Sequence, residues 1–209
     1  MSSGAQADER PQSAAGATAT IAVLLVAAFV VILNETVLNV ALPHIMEDMS
    51  VSAATVQWVT TSFMLTMAVV IPTTGFLLQR FSTRAVFALA MGSFALGTLL
   101  AAVTPSFGVL ILARVVQAFG SAIMLPLLMT TILMLVPRQR RGVVMGNVSI
   151  VISVAPALGP TLSGLILAHF PWRTIFWFVL PIALLALAIG LLRLKDVSER
   201  GTLRLDLPS

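Results

Sequence analysis

A carboxylate lies inside a long apolar segment near the start of the chain. Residues 21–43 read IAVLLVAAFVVILNETVLNVALP, and Asn34, Glu35 and Asn39 are the acid and amide side chains within them. About 20 apolar residues are enough to cross a bilayer as a helix. Because an ionisable side chain is costly to hold in lipid, its presence indicates a functional site. Glu35 is therefore the first candidate for the chemistry of this protein.

Arg114 is the basic residue best placed to meet Glu35. Glu35 lies eight residues before Pro43, which is about 12 Å below the predicted outer end of its helix. Arg114 lies nine residues after Pro105, where the fourth apolar segment begins, so the two depths nearly match. Opposite charges at one depth lower each other's cost of burial. The pair predicts either a proton- or cation-binding site in a central cavity, or a structural ion pair between two helices.

Further polar residues follow these two charges at helical spacing. Asn39 lies one turn from Glu35, and Gln117 and Ser121 follow Arg114 by one and two turns. Residues three or four apart share one face of a helix. The spacing therefore predicts a polar stripe on each of the two segments. The candidate proton and substrate site comprises Asn34, Glu35, Asn39, Arg114 and Gln117.

The composition excludes several classes of protein. The chain is 58% hydrophobic and only 10% charged, whereas soluble domains carry about 25% charged residues. It contains no cysteine, so disulfides and thiolate chemistry are excluded. Lys195 is the only lysine and follows Leu194, so there is no phosphate-binding loop; His44 and His169 form no metal spacing. We expect an integral membrane protein without enzymatic activity, metal ion or cofactor.

Six apolar segments follow a small, polar N-terminal tail at residues 1–18, which we expect to be disordered. Short separators with proline or charged residues divide the segments. The sequence therefore predicts an all-α membrane bundle over residues 19–193, followed by a cytoplasmic linker at residues 194–209. The predicted spans are residues 19–42, 55–79, 85–103, 107–136, 143–168 and 173–193.

Basic residues cluster in the second loop, the fourth loop and the C-terminal tail, whereas the first loop is acidic. Cytoplasmic loops of membrane proteins carry an excess of Lys and Arg. Both termini are therefore expected in the cytoplasm. The net charge of +4 indicates orientation in a membrane rather than binding to nucleic acid. The basic loop residues are Arg80, Arg84, Arg138, Arg140 and Arg141.

Two parts of the chain resemble each other. Residues 72–87 read PTTGFLLQRFSTRAVF, and residues 160–176 read PTLSGLILAHFPWRTIF. The first copy ends at the predicted cytoplasmic side and the second at the outside, as an inverted three-plus-three repeat requires. Chance similarity between apolar segments is the alternative. With one inserted residue, the aligned pairs are Gly75 with Gly164, Phe81 with Phe170, Arg84 with Arg173, and Phe87 with Phe176.

The fifth segment combines prolines with small residues. Pro156 and Pro160 each remove a helix hydrogen bond and favour a kink. Gly159 and Gly164 allow another backbone to approach closely. Such a helix suits an interface that opens and closes, and it suits ordinary tight packing equally well.

Four stretches together resemble the major facilitator superfamily and, within it, the 14-span drug:proton antiporters. Residues 33–43 are similar to the span-1 motif L-D-x-T-x-x-N-V-A-L-P, and residues 75–84 to the loop motif G-x-L-a-D-R-x-G-r-[RK]. Residues 114–120 are similar to the span-4 motif R-x-x-Q-G-x-G, and residues 155–164 to the span-5 antiporter motif G-x-x-x-G-P-x-x-G-G. The likeness covers residues 20–209 and looks closest to lincomycin-resistance-type exporters.

The resemblance implies the N-terminal six-helix bundle of the family's fold, in a bacterial-type plasma membrane, with a second bundle after it. It implies export of amphipathic or cationic drugs in exchange for protons, driven by the proton gradient. It implies a site built by Glu35 and Arg114. The expected gating loop contains Gly75, Gln79, Arg80 and Arg84. The expected leak-control motif contains Pro156, Gly159, Pro160 and Gly164.

The sequence departs from the family pattern at several positions. Asn34 stands where Asp is usual and the acid is Glu35 instead, which leaves open which residue takes the role of the family's acid. Gln79 replaces the acid of the loop motif, so a charged lock to the second bundle is reduced to a hydrogen bond. A proton-coupled metabolite exporter or importer, and a non-transporting six-span module, are the alternative functions. Other motif glycines are replaced by Ser82, Ala118, Ala155 and Ser163.

Overall fold

The computed structural model describes residues 14–194, and within this range the secondary structure is helical. Short turns join the helices, so consecutive long helices run in opposite directions. The helices are α1 (Ala14–Asp48), α2 (Ala53–Val56), α3 (Trp58–Arg80), α4 (Thr83–Ala102), α5 (Phe107–Leu135), α6 (Arg138–Leu167) and α7 (Thr174–Arg193).

Six stretches of the described chain are long and apolar enough to cross a membrane. Five of them are single helices, and the short α2 joins α3 to form the second. The predicted all-α, six-span architecture is therefore confirmed. The chain is a multi-pass membrane protein.

The first helix is longer than the sequence analysis predicts at both ends. It begins at Ala14, so the end of the predicted disordered tail is helical; alanine, the strongest helix former, is frequent there. It also continues through Pro43 to Asp48, because the loss of one backbone donor does not stop the flanking hydrogen bonds. Residues 1–13, and the predicted linker after residue 194, lie outside the described part of the chain.

The predicted second loop is mostly helical. Gly75, Gln79 and Arg80 belong to α3, and only Phe81 and Ser82 separate this helix from α4. Ser82 forms the N-cap of α4, and its Oγ accepts a hydrogen bond from the backbone of Ala85 at 3.2 Å. The expected gating loop is therefore a tight, capped helix–helix turn.

Packing within the bundle follows the predicted internal repeat. Helix α5 packs against α4, α3 and α1, whereas α1 packs against α6, α7 and α5. In the repeat, α1 corresponds to α5, α3 to α6, and α4 to α7. The α3–α5 contact therefore corresponds to the α6–α1 contact, and the α4–α5 contact to the α7–α1 contact. Corresponding pairs of spans are therefore in contact, as an inverted repeat requires.

The aligned phenylalanines of the repeat are both buried in the core of the bundle. Phe87 is completely buried, and its ring fills the space that a Cβ atom at Gly190 would need. Phe176 is also completely buried and belongs to the same hydrophobic cluster as Ala101. The two aromatic side chains are thus buried near opposite ends of α7.

A polar cluster, which we call the Asp48 clamp, ties together three helix ends away from the basic turns. Asp48 Oδ2 accepts hydrogen bonds from Trp172 Nε1 at 3.1 Å and from Arg173 Nη1 at 2.6 Å. Arg173 also donates to the carbonyl oxygen of Thr104 and lies 4.4 Å from the centre of the Trp172 ring. Its repeat partner Arg84 is exposed, and no hydrogen bond or ion pair holds its side chain within the described chain. The clamp therefore belongs to only one end of the bundle.

The orientation predicted from charge can be tested with single cysteines, since the chain has none. Gln139 lies in the first turn of α6, at the basic end of the bundle, and Ser106 lies between α4 and α5 at the opposite end; both are exposed. An impermeant maleimide added outside intact cells should label a cysteine at Ser106 and leave one at Gln139 unlabelled. The reverse pattern of labelling would contradict the predicted orientation.

Candidate functional site

Arg114 lies in the third turn of α5 and is only 1% exposed. Its Nη1 donates a hydrogen bond to Oε1 of Gln117 at 2.9 Å, and its Nε donates to the carbonyl oxygen of Val59 at 3.3 Å. The guanidinium lies 4.0 Å from the centre of the Phe63 ring, within the range of a cation–π interaction. These contacts hold a buried cation with neutral groups and join α5 to α3.

Gln117 extends this network to a third helix. Its Nε2 donates a hydrogen bond to Thr98 Oγ1 at 2.8 Å, and that hydroxyl donates to the carbonyl oxygen of Phe94 at 2.7 Å. A Cβ atom at Gly97 would lie 2.6 Å from Cγ of Gln117, so α4 leaves little room for the glutamine to move. Arg114 is thereby positioned by both α3 and α4, a network that we call the Arg114 cluster.

Glu35 lies on α1, is partly buried, and interacts electrostatically with Arg114. Within the described chain, however, no direct ion pair or hydrogen bond joins their side chains. The alternative interpretation, a direct structural ion pair, is therefore not seen in this conformation; Nη1 and Nε of Arg114 donate to Gln117 and Val59 instead. The carboxylate of Glu35 therefore has a positive charge nearby but no hydrogen-bond partner among the described residues.

The two asparagines of the candidate site have contrasting environments. Asn34 is completely buried, and neither its Oδ1 nor its Nδ2 has a hydrogen-bond partner. Asn39 is exposed, and its Oδ1 accepts a hydrogen bond from Thr60 Oγ1 at 3.1 Å, which ties α1 to the first turn of α3. A buried amide without a partner is costly and rare. Asn34 carries this cost directly beside Glu35 in the sequence, and local costs of this kind are typical of functional sites.

The four residues of the expected gating loop lie far from the Arg114 cluster. Gly75 follows Val59 by sixteen residues along the same span, which corresponds to about 24 Å. Gly75, Gln79, Arg80 and Arg84 are all exposed, and the Arg80 guanidinium lies 5.9 Å from the centre of a neighbouring ring. No acidic side chain pairs with either arginine in the described part of the chain. These residues form a separate basic surface.

The span-5 motif is divided between two faces of α6. Gly159 is buried against Thr36 of α1, whereas Pro156, Pro160 and Gly164 are exposed. One turn along the buried face, Ser163 Oγ donates a hydrogen bond to the carbonyl oxygen of Val37 at 2.9 Å. Only part of the motif therefore packs within the bundle. The exposed prolines and glycine form a small-residue surface on the outside of it.

This division predicts different effects of adding one methyl group to each glycine. A Cβ atom at Gly159 would lie 2.7 Å from Cβ of Thr36, whose hydroxyl is already bonded to α1. Gly159→Ala should therefore lower the free energy of unfolding, since overpacking costs about 1–3 kcal/mol. Gly164→Ala meets open space and should be neutral or slightly stabilising, because alanine favours helix by about 1 kcal/mol. Thermal unfolding of the purified variants measures both; equal destabilisation would contradict the assignment of the two faces.

Sequence reasoning missed three parts of the Arg114 cluster. Phe63 and Thr98 are ordinary apolar and hydroxyl residues of transmembrane helices, and the third part is a backbone carbonyl, that of Val59. No signal in a single sequence distinguishes them from packing residues.

Comparison with known proteins supplies the family. A sequence model described as Major Facilitator Superfamily matches residues 24–205. The chain belongs to the Major Facilitator Superfamily. It is accordingly a transporter chain and not an enzyme, and the resemblance of its four motifs is confirmed at the level of the family.

Bacterial relatives cover nearly all of this superfamily chain. The MFS-type transporter YcnB of Bacillus subtilis is 46% identical over 189 residues, which are 90% of this chain and 40% of that protein. Lincomycin resistance protein LmrB of B. subtilis is 45% identical over 89% of this chain and 39% of its own length. The multidrug resistance protein B homolog of Mycobacterium tuberculosis is 36% identical over 84% of this chain and 32% of its own length. The chain thus spans between about a third and two fifths of the length of these relatives.

Solved structures show the same superfamily fold. The human organic anion transporter MFSD10 superposes with a TM-score of 0.74 at 17% identity, over 88% of this chain and 49% of that protein. A bacterial homolog of the human lysosomal transporter Spinster gives 0.67 at 18% identity, over 88% of this chain and 44% of its own. In both, the chain corresponds to about half of the transporter.

Proposed function

We propose that this chain forms the first bundle of a bacterial proton-coupled exporter of amphipathic or cationic drugs. Two kinds of relative support the proposal, since one is named for lincomycin resistance and another for multidrug resistance. A second bundle is expected to follow this one, because the chain spans about two fifths of those relatives.

The observation that carries the proposal is the difference between the surroundings of the Glu35 and Arg114 side chains. Arg114 is buried, and uncharged groups hold its guanidinium in place. Glu35 is partly accessible, and within the described residues no hydrogen bond occupies its carboxylate. A fixed cation beside an accessible acid lets that acid bind either a proton or a positively charged substrate. Binding one excludes the other, which is the basic requirement for exchange.

Arg114 also supports the proton step. When Glu35 is ionised, the nearby guanidinium compensates its charge in a region where an isolated carboxylate is costly. When Glu35 is protonated, Arg114 keeps its contacts with Gln117 and Phe63 and needs no new partner. The site therefore tolerates both protonation states of Glu35. A cationic drug held by the carboxylate is released when a proton takes its place.

Alternating access requires two bundles that move relative to each other around such a site. The exposed small-residue surface of α6, which includes Pro160 and Gly164, suits a sliding contact with a second bundle because it offers no bulky side chains. Proton exchange at Glu35 and movement at this surface together describe an antiporter.

The proposal is tested by export from cells. The full-length protein should be expressed in a bacterium that lacks its own drug exporters, and efflux of ethidium should be followed by fluorescence. We expect efflux that stops when a protonophore collapses the proton gradient. Efflux that continues after collapse, or no export of any cationic or amphipathic compound by a correctly inserted protein, would contradict the proposal.

A further inference from the structure

An open cleft of about 510 Å³ lies at the basic end of the bundle, away from the Arg114 cluster. It is bounded by the start of α1, the end of α5 and the start of α6, so three helices meet around it. Its volume falls in the usual range for small-molecule sites. The cleft is lined by Ala17, Thr18, Ile21, Ala22, Leu25, Leu135, Val136, Pro137, Arg140, Val144, Asn147 and Val148.

The cleft is amphipathic. Aliphatic side chains such as Ile21, Leu25 and Val144 line it. Arg140 and Asn147 add polar side chains to the lining, and both residues are exposed. None of its lining residues is acidic. The lining therefore fits a molecule with an apolar chain and a negatively charged polar group.

The three arginines of the first turn of α6 are not equivalent. Arg141 donates hydrogen bonds to the carbonyl oxygens of Leu133 and Val136 at 2.5 and 2.9 Å, which satisfies the open end of α5. Arg138 and Arg140 are exposed, and no hydrogen bond or ion pair of their side chains occurs within the described chain. Of the three, only Arg140 lines the cleft. One guanidinium with unused donors thus stands at the cleft.

We propose that this cleft binds an anionic phospholipid, with the headgroup phosphate at Arg140 and Asn147 and an acyl chain along Ile21 and Leu25. Guanidinium groups bind phosphate strongly and in a defined geometry. Basic pockets between transmembrane helices suit anionic headgroups, and acyl chains are at hand around any span. A cationic drug is a poor fit because the charge of the cleft has the wrong sign. The site is separate from the proposed drug and proton site.

The proposal is tested by quenching with brominated lipids. A bimane fluorophore is attached to a single cysteine at Val143, which is 70% exposed and outside the lining of the cleft. The labelled chain is placed in bilayers containing increasing fractions of acyl-brominated phosphatidylglycerol or phosphatidylcholine. We expect phosphatidylglycerol to quench at an about fivefold lower fraction, as one basic residue near an anionic surface implies.

A matched pair of arginine variants separates the site from general surface charge. Arg140→Gln should abolish the preference for phosphatidylglycerol, whereas Arg138→Gln removes the same charge two residues away, on another face of α6, and should keep it. Val144→Trp should fill the cleft and weaken quenching by both lipids. Because Arg138 and Arg140 are both exposed, neither glutamine variant is expected to disturb folding.

Four results would overturn the proposal. Equal quenching by the two lipids would show that the cleft does not distinguish an anionic headgroup from a zwitterionic one. Equal effects of Arg138→Gln and Arg140→Gln would assign the preference to general surface charge. Loss of the preference on adding inorganic phosphate would show that Arg140 binds a soluble anion and not a lipid headgroup. Quenching that appears only after deletion of residues 1–13 would show that the chain's own N-terminal segment fills the cleft.

Discussion

Replacing Arg114 with alanine is expected to destabilise the bundle more than any other single change considered. Its contacts with Gln117, Val59 and Phe63 are all buried, and they join α5 to α3. Removing the guanidinium leaves Oε1 of Gln117 without its donor in a buried place and removes the stacking on Phe63. A buried acceptor left unsatisfied costs about 1–3 kcal/mol, and a desolvated cation–π contact is worth about 2 kcal/mol. Thermal unfolding of the purified chain in detergent measures the loss.

A lysine at the same position provides the matched control. Arg114→Lys keeps the positive charge near Glu35 but cannot reproduce the planar fork that stacks on Phe63 while bonding to two oxygens. Its stability should lie between those of the parent and Arg114→Ala. If alanine unfolds at the same temperature as the parent, the Arg114 cluster does not stabilise the bundle and the account of it is wrong.

Replacing Glu35 with glutamine is expected to abolish proton-driven export of cationic drugs by the full-length protein. Glutamine keeps the shape of the side chain but neither ionises nor holds a cation. Since no ion pair joins Glu35 to Arg114 in the described structure, the change should alter the free energy of unfolding by only about 1 kcal/mol or less. Efflux of ethidium from cells, with the amount of inserted protein measured alongside, separates loss of function from loss of protein.

An acid away from the site serves as the control for this substitution. Glu47 is exposed near the end of α1, and Glu47→Gln removes the same charge without touching the Arg114 cluster. It should leave export unchanged. Asn34 is an amide that does not titrate, so Glu35 is the group of the adjacent pair that we expect to take the proton. Normal export by Glu35→Gln would place the proton elsewhere.

The number of membrane spans followed directly from the sequence, whereas the ends of the helices did not. Bilayer thickness sets the length of an apolar span, so six segments predicted six spans. The ends depend on local propensity and capping instead. Helix α1 extends into the alanine-rich tail and past Pro43, and the second loop shrinks to Phe81 and Ser82.

The candidate site was predictable in depth but not in its contacts. Helical rise places Glu35 and Arg114 at matching heights, and their charges do interact. Rise does not give the rotation of one helix against another, so it could not show that the donors of Arg114 are directed to Gln117 and Val59. The role of Phe63 depends on the same rotation and is invisible in a single sequence.

Proton movement coupled to a drug tests the central claim most directly. The full-length protein and its Glu35→Gln variant are reconstituted in liposomes with a trapped pH-sensitive dye and no imposed pH gradient. Adding ethidium outside should make the interior of parent liposomes alkaline, because each cation that enters is exchanged for protons. The variant should give only the slow response of protein-free liposomes. Alkalinisation by Glu35→Gln at the rate of the parent would contradict the account.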